Sequence, residues 1–482
     1  MLEVKNTRSL TRFMGLAAIL LWLAGCVSAP VSGSRPQGSV PSGFPDAALG
    51  AERSHLIDTF GGLYRANAST EKLVRGVVDR IVAASDDPAQ RYRITFLNSP
   101  SPNAFALPNG ELYLTRGLLA LANDTSELAA VLAHEVAHVT ANHAIRRAEV
   151  ERAASSLPAP LVQDGVSAPD MTRFVVASFS RGQELEADEI GIRTIAKAGY
   201  DPYGAARFLS SLARQTAYSG VSRGSGRFSF LSSHPSTPQR IAVALEAARD
   251  AALKTQDASG KAPIEADRAT YLQAINGLAV GDDPSGGVVR GRRFLHPRFD
   301  FTLTAPEGFT LENSSEALIG LSSDGSSALR LDILQSDANP EVALASGWID
   351  GVRLETVDKI SINGFDGATA LATSPEWNFR LTAIRKGPNL FRIIYAARTL
   401  TPALDKMFQA SIGSFRALEA DEAASLRPQH IEAVQAGADD TVETFANRIS
   451  GVDRPLDQFL LLNGLERPRL KQGEFYKILV TD

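Results

Sequence analysis

The spacing of apolar residues divides the chain into a helical half and a strand-rich half. Between residues 46 and 255 the pattern is mainly helical, and one predicted helix over residues 70–84 has apolar positions at Leu73, Val77, Val78 and Ile81. Residues 92–97 predict a strand. Asn109-Gly110 then stands between two apolar runs, which predicts a β-hairpin. We therefore expect a mainly helical domain with a small sheet.

The period changes from helical to alternating after residues 256–287, a segment rich in turn residues that we interpret as a linker. Residues 288–418 alternate apolar and polar positions and predict a mixed α+β domain. Two of its strands are joined by R-K-G-P-N. We expect their apolar sets to face each other, with Phe379, Leu381 and Ala383 opposite Phe391, Ile393 and Tyr395.

Residues 430–482 form a small predicted unit of two helices between strands. Asp440, with Glu443 three residues later, is expected to cap the first helix. The stretch A-G-A-D-D-T-V-E-T-F-A-N-R-I, with L-L-L-N-G-L further on, resembles a LysM module. LysM modules are small βααβ glycan-binding folds, so the resemblance implies peptidoglycan as a partner.

The first residues have the layout of an exported lipoprotein. Positive charges precede an apolar run that is too short for a membrane span, and the run ends in L-A-G-C at residues 23–26. We predict a signal peptide over residues 1–26, lipidation of Cys26, and a Pro/Gly/Ser-rich tether over residues 27–45. Val27 follows the cysteine, which suggests the outer membrane of a Gram-negative cell, facing the periplasm. Cys26 is the only cysteine, so no intrachain disulfide can form.

Composition narrows the class of protein further. The chain has 482 residues, which is too many for one ordinary core and indicates several domains. Its formal net charge of -5 argues against a nucleic-acid binder.

The candidate chemistry lies in A-H-E-V-A-H-V-T-A-N-H, which contains an H-E-x-x-H pattern at His134, Glu135 and His138. Asp124 as N-cap and Glu127 at the third helical position predict the start of the helix that carries it. Histidines four residues apart lie on one face of a helix, so these two imidazoles can share one metal ion.

A catalytic zinc site usually has three protein ligands, so a third is needed. On a continuous helix His143 lies about half a turn away from His134, and we expect it to cap or pack rather than bind. The acidic helix that follows Ser180 offers Glu184 or Glu186, and spacing favours Glu184 without excluding Glu186. Asp188, one turn after Glu184, can accept the second N–H of a ligating histidine.

H-E-V-A-H together with E-L-E-A-D resembles the gluzincin metallopeptidases of the CAAX prenyl protease and HtpX type, over about residues 50 to 250. The segments N-A-F-A-L-P-N-G and S-S-H-P-S-T-P-Q-R also match that family. The resemblance implies an α+β multidomain protein in which one zinc ion binds to His134, His138 and Glu184. It assigns Glu135 as the general base for a water that attacks the scissile carbonyl.

The resemblance implies a zinc endopeptidase for misfolded or unassembled proteins of the cell envelope. We expect the substrate to add as a strand to Asn103, Ala104, Phe105 and Ala106, although these can equally form an ordinary hairpin strand. His234 can donate to the oxyanion, occupy the open coordination position, or serve only as a structural loop residue. An envelope binding protein or chaperone and a peptidoglycan-associated peptidase are the alternative functions.

Overall fold

The computed structural model describes residues 46–147, 179–218, 230, 234, 238–259, 267–313, 317–349, 352–449, 452 and 454–481. The predicted signal peptide with Cys26 and the predicted tether lie outside the described residues. Part of the predicted linker, residues 260–266, lies outside them too. Within the described ranges, no helix has the length and apolar character needed to cross a membrane. The fold is mixed α+β, as the sequence predicts.

The first part of the fold is mainly helical and contains one small sheet. Its elements are α1 (Asp46–Thr59), α2 (Ala68–Ala84), β1 (Arg93–Leu97), β2 (Ala104–Ala106), β3 (Glu111–Thr115), α3 (Arg116–Leu121), α4 (Thr125–Thr140), α5 (Arg181–Lys197), α6 (Gly204–Tyr218), α7 (Pro238–Ser259) and α8 (Arg268–Ala274). The strand order is β1-β3-β2, so β2 is an edge strand. Gly110 has a φ of 85° in the β2–β3 turn, which confirms the predicted hairpin.

Helix α4 is the central element of this part. Asp124 is its N-cap and accepts a hydrogen bond from the backbone N–H of Glu127, as predicted. Its residues are buried from Thr125 to His138, so it has no solvent-facing stripe over that length. Helix α5 crosses it closely, because Gly191 of α5 has no side chain. A Cβ there would lie 3.1 Å from the backbone nitrogen of His134.

The middle part contains a broad antiparallel sheet covered on both faces and a separate three-stranded sheet. The short strand β4 (Ala279–Val280) precedes it and pairs with residues 429–430 of the last part. The elements of the middle part are a 3-10 helix (Pro284–Gly286), β5 (Val288–Arg290), β6 (Arg293–His296), β7 (Phe301–Thr304), β8 (Phe309–Asn313), β9 (Leu318–Ser322), β10 (Ser327–Gln335), α9 (Pro340–Ala345), β11 (Arg353–Leu354), β12 (Asp358–Ile362), β13 (Phe365–Thr373), β14 (Asn378–Lys386), β15 (Asn389–Ala397), α10 (Pro402–Gly413) and α11 (Ala420–Ser425). The large sheet has the order β11-β13-β14-β15-β10-β9-β8, with β12 also paired to β13. Separate apolar clusters lie on its two faces, one with α10 and one with α9.

The expected facing of β14 and β15 is wrong by one residue. Lys386 pairs with Asn389, so the connection is a two-residue turn, and Leu381 lies opposite Ile394 rather than Ile393. A shift of one residue moves a side chain to the other face of a sheet. The set that contains Leu381 therefore packs against α9, whereas the set that contains Ile393 packs against α10.

The last part has the predicted βααβ order. Its elements are β16 (Gln429–Gln435), α12 (Val442–Ala446), α13 (Pro455–Leu462) and β17 (Phe475–Thr481). The helix cap differs from the prediction: Thr441, not Asp440, is the N-cap of α12, and the Asp440 carboxylate accepts from the Gly437 N–H instead. The apolar residues of this unit share one core with helices α2 to α4.

A buried group of charges joins this last unit to the start of α4. Lys477 of β17 is fully buried, and its Nζ donates to the carbonyls of Ala120 and Ala122 at 2.7 and 2.9 Å. These carbonyls stand at the C-terminal end of α3, where backbone acceptors lack helical partners. We call Asp124, Glu127, Arg207, Arg268 and Lys477 the N-terminal charge cluster.

Candidate metal centre

Helices α4 and α5 bring three of the predicted ligands to one point. His134 Nε2 and His138 Nε2 are 3.0 Å apart, as expected for side chains one turn apart on a helix. Glu184, in the first turn of α5, places Oε2 3.6 Å from His134 Nε2 and Oε1 3.6 Å from His138 Nε2. All three side chains are buried. Crossing of the two helices thus juxtaposes two imidazole nitrogens and a carboxylate.

His234 supplies a fourth atom to the same group. Its Nδ1 lies 3.2 Å from His134 Nε2 and 2.9 Å from Glu184 Oε1. The ring of Phe230 stacks on its imidazole with centroids 4.5 Å apart. One ligand atom from each of His134, His138, Glu184 and His234 lies within 4.8 Å of the other three. The structure therefore puts His234 among the candidate ligands.

Each of the two helix histidines has a hydrogen-bond partner on its far side. His134 Nδ1 lies 3.0 Å from Asp188 Oδ1, the contact that the sequence predicts for Asp188. An ionised carboxylate can only accept, so His134 carries its proton on Nδ1 and has a lone pair on Nε2. His138 Nδ1 lies 2.8 Å from His143 Nδ1, which the sequence did not lead us to expect.

Arg240 is a functional residue that sequence reasoning missed. Its guanidinium donates to both oxygens of Asp188, at 2.8 and 2.7 Å, and its Nη1 lies 2.8 Å from Glu184 Oε2. The side chain is buried, so its charge balances two buried carboxylates. The only signal in the sequence was its place in the S-S-H-P-S-T-P-Q-R segment, to which no role was attached.

The chemistry of the four atoms fits a zinc ion. His134 Nε2 lies 3.0 Å from His138 Nε2 and 3.2 Å from His234 Nδ1, so three ring nitrogens meet at one point. A tetrahedral zinc ion with bonds of ~2.0–2.1 Å holds its ligand atoms ~3.4 Å apart. Five contacts among these side chains measure 2.9 to 3.6 Å, and the whole group lies within 4.8 Å. Imidazole nitrogen and carboxylate oxygen are both common zinc ligands.

Burial keeps the three imidazoles neutral, which is the form that binds metals. It lowers the pKa of His134, although the neighbouring Asp188 opposes this. Burial, together with the nearby histidines, lowers the pKa of His138 well below its ordinary value. Burial and the Arg240 charge lower the pKa of His234 to about 3.

The buried carboxylates of the site differ in the direction of their pKa shifts. Burial raises the pKa of Glu135 well above its ordinary value, and the Glu184 charge raises it further. Burial also raises the pKa of Glu184, although His134 and Arg240 oppose this. Burial would raise the pKa of Asp188 too, but hydrogen bonds from His134 and Arg240 hold it at about 2. Asp188 is thus a fixed anion, whereas Glu135 has a raised affinity for a proton.

The edge strand β2 runs beside Glu135. The carbonyl of Asn103 and the amide of Leu107 bond to β3, so the backbone groups of Ala104 and Ala106 point away from it. The Ala106 N–H donates to Glu135. Within the described ranges no strand pairs with this side of β2. The four predicted substrate-binding residues, 103–106, thus lie next to Glu135, the candidate general base.

Comparisons with known proteins agree with this site. Residues 68–248 match the family model described as Peptidase family M48. The matched segment contains every residue of the four-atom group, together with Glu135 and Arg240. This part of the chain is therefore similar to that peptidase family, whereas the large sheet and the C-terminal unit lie outside the match.

The similar curated proteins are peptidases from mitochondria and bacteria. The mitochondrial metalloendopeptidase OMA1 of Schizosaccharomyces pombe is 32% identical over 177 residues, which cover 36% of this chain and 51% of that one. The beta-barrel assembly-enhancing protease of Yersinia pestis is 30% identical over 232 residues, covering 41% and 46%. That of Escherichia coli strain K12 is 30% identical over 184 residues, covering 34% and 36%. The chain spans about half or less of the length of these relatives.

Proposed function

We propose that the protein is a zinc-dependent endopeptidase in which His134, His138 and Glu184 hold the metal and Glu135 is the general base. The observation that carries this proposal is the convergence of three imidazole nitrogens and a carboxylate oxygen within 4.8 Å. These are atom types that zinc binds, at a spacing that one ion can bridge. The family match over residues 68–248 supports the same reading.

A zinc ion in this site supplies Lewis-acid chemistry: it lowers the pKa of a coordinated water toward about 7 and polarises a carbonyl oxygen. Glu135 takes the proton from the attacking water and delivers it to the leaving amine. Its raised pKa suits a group that must both accept and release a proton. Asp188 and Arg240 stay charged throughout and hold His134 and Glu184 in place.

We propose that the substrate binds as an added strand along β2. The outward backbone groups of Ala104 and the carbonyl of Ala106 provide its hydrogen bonds, and this mode reads the backbone more than the side chains. A small groove beside His138 is lined partly by Val139, Ile145 and Phe179, which favours an apolar side chain there. Backbone recognition suits a protease for unfolded chains.

We propose that His234 occupies the fourth ligand position in the resting protein. While its Nδ1 lies 3.2 Å from His134 Nε2, neither water nor a carbonyl oxygen can take that place. The protein therefore becomes active only when His234 moves aside. The other role expected from the sequence, donation to an oxyanion, requires this same movement first.

We propose that the protein acts in the periplasm, anchored through Cys26 to the outer membrane, on misfolded or unassembled envelope proteins. The L-A-G-C sequence at residues 23–26 supports the location. The similarity to relatives named beta-barrel assembly-enhancing protease supports the proposed action on envelope proteins. Cell fractionation tests it: Cys26→Ala should leave the membrane fraction, and an unchanged distribution contradicts the anchor.

The test of the activity compares casein degradation by the wild type, Glu135→Gln and His234→Ala, with zinc measured in each. Glu135→Gln should lose at least about 100-fold in rate and keep its zinc, because only the base is removed. His234→Ala should keep its zinc and degrade casein faster. Equal degradation by wild type and Glu135→Gln contradicts the enzyme proposal. A slower His234→Ala shows that His234 donates to the reaction rather than blocking it.

A further inference from the structure

His138 and His134 differ in the group that faces Nδ1, the ring nitrogen turned away from the candidate metal site. Metal-binding histidines usually donate their second N–H to a carboxylate, a carbonyl or water. His134 has the carboxylate of Asp188 in that place, whereas His138 has the imidazole of His143, Nδ1 to Nδ1, at 2.8 Å. His143 is fully buried. A role for His143 at the metal rests on the proposed function, because His143 contacts one of the proposed zinc ligands.

The end of α4 explains how His143 reaches this position. On an uninterrupted helix it would lie about half a turn from His134. Helix α4 instead ends at Thr140, and Asn142 adopts a left-handed φ of 56°, as asparagine does more readily than most residues. A new helical segment begins at residue 143 and turns its side chain back toward His138. Gln183 of α5 donates to the His143 carbonyl at 3.0 Å and fixes this turn.

The outer side of His143 faces Glu186, the carboxylate that spacing alone could not exclude as a metal ligand. His143 Nε2 lies 3.2 Å from Glu186 Oε2, and Arg146 Nη2 donates to the same oxygen at 3.0 Å. The Glu186 side chain is 44% exposed, so it is solvated while it also contacts His143 and Arg146. A chain of contacts thus runs from His138 through His143 and Glu186 to Arg146 at the surface.

The positions of protons in this chain follow from its donors and acceptors. Glu186 can only accept, so the N–H of the neutral His143 imidazole is on Nε2. Its Nδ1 is then a lone pair, and the partner at 2.8 Å, His138 Nδ1, must be the donor. We propose that His143 and Glu186 are positioning residues that fix the proton of His138 on Nδ1. His138 thereby presents a bare Nε2 to the metal.

Zinc affinity, measured by competition with a chromophoric chelator, tests this proposal without relying on proteolysis. His143→Leu removes the acceptor and should weaken zinc binding about 10- to 100-fold. His143→Gln keeps an amide oxygen for His138 and an N–H for Glu186, so it should stay within about threefold of the wild type. Glu186→Gln should weaken binding about two- to fivefold, because an amide accepts less strongly than a carboxylate.

The matched control is Glu189→Gln, which removes a second exposed carboxylate from the same helix and should leave zinc affinity unchanged. In a double-mutant cycle, Glu186→Gln should have no further effect once His143 is leucine, because Glu186 acts through His143. If His143→Leu and His143→Gln weaken binding equally, His143 has only a packing role and the proposal fails. Unchanged affinity in His143→Leu also overturns it. A wild type that binds no zinc contradicts the metal site itself.

Discussion

Helix α4 has buried charged residues at both ends, but the two groups are built in opposite ways. In the N-terminal charge cluster, donors face acceptors: Lys477 donates to three carbonyls of α3 and its C-cap, and Arg207 lies 3.0 Å from Asp124 and 3.6 Å from Glu127. At the other end, the atoms that face one another are alike, with imidazole nitrogens 3.0 and 3.2 Å apart.

This difference separates a structural group from a candidate metal centre. Buried polar groups in proteins are normally paired, and a paired group needs nothing further. Imidazole nitrogens and a carboxylate that converge on one point are a typical set of metal ligands. Burial and shifted pKa values occur at both ends of α4, so neither feature alone identifies the site. The convergence of potential metal ligands on one point distinguishes the candidate metal centre from the N-terminal charge cluster.

The largest effect at the structural end should come from Lys477→Met. The variant keeps the length of the side chain and leaves buried carbonyls without a donor, so the free energy of unfolding should fall by about 3 kcal/mol. Chemical denaturation of the full chain measures this change. Zinc affinity should be the same as in the wild type, because Lys477 contacts the carbonyls of α3 and not the ligands.

Repeating the denaturation with a zinc chelator tests whether the two ends of α4 are independent. Zinc bound only by the folded state should stabilise wild type and Lys477→Met by equal amounts, because distant and independent sites are additive. If the chelator lowers the free energy of unfolding of Lys477→Met much less than that of the wild type, the two ends of α4 are not independent. That result would mean that the charge cluster and the metal site act as one unit.

A smaller effect, which depends on pH, should come from Glu127→Gln. Burial and the Asp124 charge raise the pKa of Glu127 to about 7, with Arg207 and Lys477 opposing. A carboxyl whose pKa is higher in the folded state favours folding below its unfolded value of about 4.5 and loses that contribution as the pH rises through 7. The neutral amide has no such loss. Relative to the wild type, the variant should therefore gain about 2 kcal/mol between pH 5 and pH 8.

Urea unfolding at both pH values, with a chelator present to silence the metal site, measures this difference. Glu189→Gln is the reference variant, because it removes an exposed carboxylate outside the N-terminal charge cluster. A difference between Glu127→Gln and wild type that is constant with pH would show that Glu127 stays ionised when buried.

Local patterns predicted the elements that carry the site. The apolar spacing and the Asp124 cap located α4, and the Asn109-Gly110 turn located the hairpin that contains β2. These features depend on residues close together in the chain. The choice of Glu184 over Glu186 as the third ligand rested on the resemblance to a family, because spacing alone could not exclude Glu186.

The residues that were missed all depend on contacts made by distant segments or on a single backbone angle. His143 reaches His138 because Asn142 ends α4, and only the asparagine in T-A-N-H hinted at that turn. Arg240 contacts Asp188 from a helix 52 residues away. Lys477 stands in an apolar strand where a lysine suggests an exposed position, but its acceptors lie 355 or more residues earlier.

The burial of Lys477 against Ala120 has a consequence for the order of events in synthesis. The two residues are separated by 357 positions, so their contact cannot form until the chain between them has left the ribosome. Contacts of such long range close late in folding. The nascent chain consequently carries the candidate ligands of α4 and α5 long before Lys477 can reach the end of α3 that precedes α4.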